Sequence, residues 1–352
     1  MRPFGVYVHV PFCARRCDYC AFATWTDRSG LMGAYVDACV GELAAAALPP
    51  ASTLFFGGGT PSLLPAAAMA SVVAAVSRAP GAEVTVECNP DDVTADLLDA
   101  YRAAGVTRVS LGVQSMRPHV LAALGRVHDP AVAVRAARLV AGAGFPSWSV
   151  DLIFGAAGES DADWQATVDE VLALGPPHVS AYALTVEAGT PLAGDPARHP
   201  DDDVQATRYL AADEALAGAG LASYEVSNWA RPGHECRHNL LYWSQGDYRG
   251  IGCAAHSHQA GRRWWNVRTP ERYIERVLGG QSPEAAGETL APEDRRREAL
   301  QLALRTSRGV PAGSFGADDL SELDGLVERR GDRLVLTPAG RLLTNEVAVR
   351  LL

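Results

Sequence analysis

The sequence predicts an α/β fold built on a parallel sheet, and two patterns in its 352 residues carry that expectation. From residue 6 to about residue 184, short β-rich runs alternate with longer alanine- and leucine-rich runs, the rhythm of strand–helix–strand crossovers. Polar and glycine-rich residues fall at the carboxyl end of successive strand runs, where parallel α/β folds build their sites. The six units can form an open doubly wound sheet or most of a (β/α) barrel.

The predicted strands cover 6–10, 53–57, 83–87, 109–112, 147–153 and 178–184, with helices over 32–47, 65–77, 95–104, 131–143 and 161–174. The first strand leads into Cys13, Cys17 and Cys20, and the second into Gly57, Gly58, Gly59, Thr60 and Pro61. Glu87 ends the third strand, Gln114 the fourth, and Asp151 lies within the fifth. Separate segments thus point at one cleft. Beyond residue 190 the pattern changes. Asp201, Asp202 and Asp203 open a helix that runs to about Ala219, and residues 224–266 hold four tryptophans and three tyrosines. The Pro- and Glu-rich stretch 281–292 reads as a linker. Residues 293–352 read as helix, short helix, a β-pair through Leu334–Leu336 and a final helix, an order resembling a winged helix. The expected units are 1–190, an α+β extension over 191–290, and a small winged-helix-like domain over 291–352.

Composition narrows the function classes. A net charge of −10 argues against nucleic acid as a partner. The last unit balances ten arginines against ten carboxylates, so it reads as a packing or lid domain and not as a DNA-binding wing. The chain has no lysine, which excludes Schiff-base catalysis by that residue. No apolar run of membrane-spanning length occurs, and Arg2-Pro3-Phe4-Gly5 leads straight into a strand, so neither a membrane helix nor a signal peptide is expected. Seven cysteines, three of them within eight residues, do not make a secreted disulfide framework and point to a reducing cytoplasm.

Three thiols spaced by four and then three positions can close around one inorganic centre. Iron–sulfur clusters normally take four thiolates, so three leave one iron open to a substrate or cofactor. Structural zinc would fill all four of its positions. The spacing of Cys13, Cys17 and Cys20 resembles that of the radical S-adenosylmethionine (radical SAM) superfamily. The resemblance implies a partial (β/α)6 barrel, a [4Fe-4S] cluster on the three cysteines, and SAM on the open iron. Gly57–Pro61 then looks like the superfamily's glycine-rich motif. With Tyr7, Glu87, Gln114, Arg126 and Asp151 in order and spacing, the chain resembles the oxygen-independent coproporphyrinogen III oxidases. By that likeness Tyr7 and Tyr19 flank the cluster, Gly58, Gly59 and Thr60 line the SAM cleft, and Glu87, Gln114, Arg126 and Asp151 complete a polar shell. Taken singly, Arg126 reads equally as a helix cap and Asp151 as a buried structural carboxylate.

Within that group the chain resembles the HemW-type haem-chaperone branch. The oxidases carry a fourth cysteine two residues after the third, where this chain has Phe22, and a longer segment before the first strand. The positive match is His238-Asn239-Leu240-Leu241-Tyr242-Trp243, a motif of the type these chaperones use in haem binding. It implies His238 as a haem ligand, an imidazole being the commonest axial group. His256 reads as structural, and Cys39, Cys88 and Cys236 as buried thiols. The implied function is carriage of haem to an acceptor protein, with no residue assigned a catalytic role and a homodimer possible. The alternative is a coproporphyrinogen III oxidase or another radical SAM enzyme.

Overall fold

The protein is described here by a computed structural model over residues 3–351. Six parallel strands form its centre: β1 (Phe4–Val10), β2 (Ala51–Gly58), β3 (Arg78–Cys88), β4 (Arg108–Gln114), β5 (Ser147–Phe154) and β6 (His178–Ala183). The crossover helices are Met32–Ala46, Ala66–Ala75, Ala95–Ala104, Pro130–Gly142 and Asp161–Ala173, each within two residues or so of its sequence expectation. Local chemistry explains the boundaries. Thr94 accepts the Leu97 amide, and Ser160 forms a capping box with Asp163. One short helix, Pro118–Ala123, was not expected, since six residues are too few to display a helical period.

The strands alternate between two environments, as the period of two requires. Val6, Val8 and Val10, Leu54 and Phe56, Val109 and Leu111, and Val150 and Leu152 are buried against the helices. The opposite faces carry Tyr7, Phe55, Thr85, Glu87, Arg108, Ser110, Asp151, His178 and Ser180, which line one cavity of ≈ 890 Å³. A core-filled barrel packs this space with branched apolar residues. Here it is left open, with polar groups set into a largely apolar lining.

The chain after β6 extends the sheet at both edges. β7 (Ala222–Glu225) and β8 (Asn228–Ala230) add beyond β6, whereas β9 (Asp247–Ile251), β10 (His256–Gln259), β11 (Arg262–Asn266) and β12 (Glu284–Thr289) add beyond β1. Because β9 takes the outer edge of β1, β6 never pairs with β1 and the barrel stays partial. Half of the stretch expected as a linker is the edge strand β12, antiparallel to β11. Its residues are mostly exposed, and an edge strand tolerates the charged composition that suggested a linker. The last unit holds helix Pro292–Leu304 and a sheet of β13 (Val310–Pro311), β14 (Val327–Arg330) and β15 (Arg333–Leu336), one strand more than the expected pair. Leu304, Val310, Leu323, Leu334 and Val347 form its separate core. Among the described residues, no helix is long and apolar enough to cross a membrane.

One carboxylate ties the extension to the barrel. Glu42, on the first crossover helix, is 4% exposed. It accepts hydrogen bonds from Arg249 (3.0 Å), the Gly252 amide (3.2 Å), Asn266 (3.2 Å) and the Tyr273 hydroxyl (2.6 Å). Glu42→Ala removes the acceptor shared by all four donors and leaves the buried Gly252 amide without one, so it is expected to destabilise the fold by about 3 kcal/mol. Urea unfolding at neutral pH measures this, and a loss below about 1 kcal/mol would contradict the assigned role.

Candidate functional site

The site is built around the loop after β1. That loop is pinned on several sides: the Cys13 amide donates to Trp25 O (3.1 Å), Trp25 N to Pro11 O (2.8 Å), and Leu192 N to Asp18 O (3.0 Å). Arg198 pairs with Asp18 at 2.8 Å. Cys13, Cys17 and Cys20 all line the cavity and are partly exposed. Burial pushes the thiols of Cys13 and Cys20 up, away from ionisation. A bound metal would reverse that preference, since coordination takes the thiolate. Among the described residues, no three His, Cys, Asp or Glu side chains are already gathered into a closed ligand set. The donor set nonetheless fits an iron–sulfur cluster, with three thiols on one anchored loop facing one space.

The glycine run after β2 packs directly beneath that loop. Gly59 N donates to Val10 O (2.7 Å) and Thr60 N to Phe12 O (2.8 Å). A Cβ at Gly59 would stand 2.7 Å from both of those carbonyl oxygens and 3.0 Å from Cys13 Sγ, so only glycine permits the approach. Gly58 has φ +108°, and a Cβ there would meet the His9 ring at 2.4 Å.

His9 is a residue that sequence reasoning passed over. It is 5% exposed and sits one rung above Tyr7 on the same face of β1. Ala23 O requires a donor, so His9 Nε2 carries the proton (2.9 Å) and Nδ1 accepts from the Tyr7 hydroxyl (3.2 Å). The relay ties β1 to the far side of the cysteine loop. Its only sequence signal was its place in Tyr7-Val8-His9, two residues from a site candidate.

The expected polar shell converges on the cavity. Glu87, Gln114, Arg126, Asp151, Tyr7, Tyr19, Gly58, Gly59 and Thr60 all line it. Asp151 is fixed by two serines, Ser110 and Ser180, each at 2.7 Å. Arg126 donates to the Tyr19 hydroxyl (3.0 Å), and burial pushes that hydroxyl up to about 12 despite the guanidinium. Gln114 holds φ +66°, which costs a non-glycine residue about 1–3 kcal/mol and marks a constrained position at the end of β4. Phe22 is 62% exposed at the rim.

His238 lies at the other end of the same cavity, near the start of β2. It is 1% exposed, stacks on Phe55 with centroids 5.2 Å apart, and has both ring nitrogens engaged. Nδ1 meets Thr53 Oγ1 and Nε2 meets the Tyr242 hydroxyl, each at 2.9 Å. Burial lowers its pKa to about 3, so the ring is neutral at physiological pH, the form that ligates metals. Its helix, Arg237–Trp243, starts at Glu83, which accepts the amides of Arg237 and His238 (3.2 Å each). His256 is exposed and stacks on Trp265, while Cys39, Cys88 and Cys236 are buried.

Glu87 accepts the Gly58 amide (3.3 Å), yet burial, reinforced by Asp151, raises its pKa from 4.5 to about 8. The folded state therefore keeps a proton that the unfolded chain releases between pH 4.5 and 8. Stability is full below that window and is lost as pH rises through it. Thermal melts are expected to show Glu87→Gln level with the parent near pH 5 and more stable than it above pH 8. Parallel pH profiles for the two proteins would contradict this.

The chain resembles known proteins over its whole length. A family profile described as the radical SAM superfamily matches residues 7–171. The heme chaperone HemW of Mycobacterium tuberculosis is 46% identical, with 100% of this chain and 95% of the relative aligned. The heme chaperone HemW of Synechocystis sp. is 36% identical over 88% of this chain and 80% of its own. Among solved structures, the coproporphyrinogen III oxidase HemN of Escherichia coli, a radical SAM enzyme, superposes with a TM-score of 0.86 over 99% of this chain and 89% of that one. At 23% identity that likeness is one of fold. A radical SAM domain implies a [4Fe-4S] cluster and SAM, for which the cysteine loop and the polar cavity supply a fitting set of residues. With the cysteine loop, the glycine run and the polar cavity in place, the chain belongs to the radical SAM superfamily and, within it, to the family of the HemW haem chaperones.

Proposed function

We propose that this protein is a haem chaperone of radical SAM type, which takes up haem and passes it to an acceptor protein. The observation that carries the reading is the single cavity whose lining runs from Cys13, Cys17 and Cys20 to His238 and Tyr242. Full-length likeness to the HemW chaperones supports it. The three cysteines would hold the [4Fe-4S] cluster, which, when bound, supplies a low-potential electron and an open iron for SAM.

The chain's own residues do the rest. Gly58, Gly59 and Thr60 offer a close backbone edge, and Tyr7 and Tyr19 wall the cysteine loop. Glu87, protonated near neutrality, gives up its proton when a cationic ammonium group arrives beside it. Arg126, Gln114 and Asp151 orient the polar parts of the ligand. At the other end His238 is the haem ligand. Nε2 becomes available when the Tyr242 hydroxyl swings aside; Phe55 backs the imidazole by stacking on it, and Tyr242, set steeply to that ring, offers an aromatic face to the porphyrin. The thiol pattern suits a cytoplasmic site of action. The working units are 1–190 for the cluster and SAM, 191–290 for the haem motif, and 291–352 as a lid or packing domain.

The test is anaerobic reconstitution followed by haem and coproporphyrinogen III, offered separately with SAM and reductant. Stoichiometric haem uptake without a decarboxylated product is expected, and turnover of the porphyrinogen would overturn the chaperone reading. Cys17→Ala is expected to lose the cluster's visible absorbance. His238→Ala should keep that absorbance and lose haem affinity by at least about 10-fold, the loss that removing even a hydrogen-bond partner of a metal ligand brings. Unchanged haem affinity in His238→Ala would remove it as the ligand.

A further inference from the structure

The end of the cavity away from the cysteine loop holds a second set of groups that the reading above does not use. Arg108 opens β4 and His178 opens β6, both line the cavity, and they are 2% and 1% exposed. Arg108 Nη1 donates to Ser147 Oγ (2.8 Å) and His234 O (2.9 Å). Arg108 Nη2 has no hydrogen-bond partner, and among the described residues the guanidinium pairs with no carboxylate within salt-bridge distance. Asp151 feels the guanidinium charge without bonding to it. Asp151 is held by two serines, and Glu83 by the amides that start helix Arg237–Trp243.

His178 is also one bond short, and its proton can be placed. The Tyr224 hydroxyl accepts the Cys236 amide (3.3 Å) and has its one available acceptor in His178 Nε2 (2.9 Å). Nε2 therefore accepts, and Nδ1 of the neutral ring carries the hydrogen. Nδ1 has no partner. Burial and then the charge of Arg108 hold the ring's basicity well below the ordinary range, so the ring stays neutral beside the guanidinium. Two unpartnered donors, one of them charged, thus lie side by side in the wall of the same cavity. A buried charge left unpaired is strongly destabilising unless a counter-charge arrives. The complement of this pair is an anion that accepts two hydrogen bonds, and a carboxylate has that form.

The wall contributed by β1, β2 and helix Arg237–Trp243 is aromatic, with Tyr7, Phe55 and Tyr242. The compartment is therefore amphipathic, flat and apolar on one side and cationic on the other. Resting on the haem reading above, we propose that Arg108 and His178 form the anchor for a propionate carboxylate of the bound tetrapyrrole. The anchor orients the pigment with its acidic edge toward β4 and β6 and its ring plane toward Tyr242. His178 is a positioning donor, and Arg108 supplies the charge.

The test compares haem with haem dimethyl ester by absorbance titration of the reconstituted full-length protein. The parent is expected to bind haem about 10- to 100-fold more tightly than the ester, the range of a charge-assisted hydrogen bond. Arg108→Gln should bring haem down to the ester's affinity and leave the ester within about two-fold, while His178→Phe should lose only part of the preference. Equal affinity of the parent for the two pigments overturns the anchor and leaves the chaperone reading standing, and that comparison needs no variant to fold. An Arg108→Gln protein that keeps the full preference also overturns it. Failure of the parent to bind either pigment overturns both readings.

Discussion

The contact on which the rest of the molecule depends is the one between Glu83 and the start of helix Arg237–Trp243. That carboxylate, near the amino end of the barrel, accepts two backbone amides and holds His238, Tyr242 and Cys236 against the interior of the sheet. The helix is only seven residues long and could not hold itself in water. Its N-terminal amides need an acceptor and its partial positive charge favours an anion, so one glutamate serves both. Without it the lower end of the barrel would lose its aromatic wall, and the extension would lose its grip on β2 and β3.

A consequence is a barrel with two chemically distinct ends. At the carboxyl end of the strands, tight glycine packing and the relay from Tyr7 through His9 to Ala23 hold a three-cysteine loop open to the cavity. At the amino end, neutral His238 faces Phe55, and cationic Arg108 and neutral His178 begin β4 and β6. Arg108 and Gln114 are six positions apart on one strand, or about 20 Å at 3.3 Å per residue. In the proposed function that separation would set a redox cofactor and a flat cargo at opposite ends of one lumen. The polar strand faces are the structural investment that makes this possible, because a packed apolar core would leave no cavity.

Much of this was legible in the sequence. The alternation of runs located all six central strands, and the cysteine spacing and glycine run located the loop and its support. Other parts were not legible, for physical reasons. That β9 pairs in parallel with β1 is a contact across most of the chain, and no local pattern announces it. Strand β12 looked like a linker because an exposed edge strand needs no apolar face. Arg108, His178 and His9 belong to no motif, and their signal was a period of two in polar residues along otherwise buried strands. Read as alternation, Arg108 and Ser110 followed by Gly112, and Ser149 with Asp151, already indicate a lumen that is not filled by side chains.

In the proposed function one lumen serves both the cluster end and the haem end. Crystals of the reconstituted, haem-loaded protein would test it through an anomalous-difference map at the iron absorption edge. Iron is expected beside Cys13, Cys17 and Cys20, with a separate iron within the barrel at His238. A haem iron on the outer surface, with the lumen empty and the Tyr242–His238 hydrogen bond intact, would contradict it.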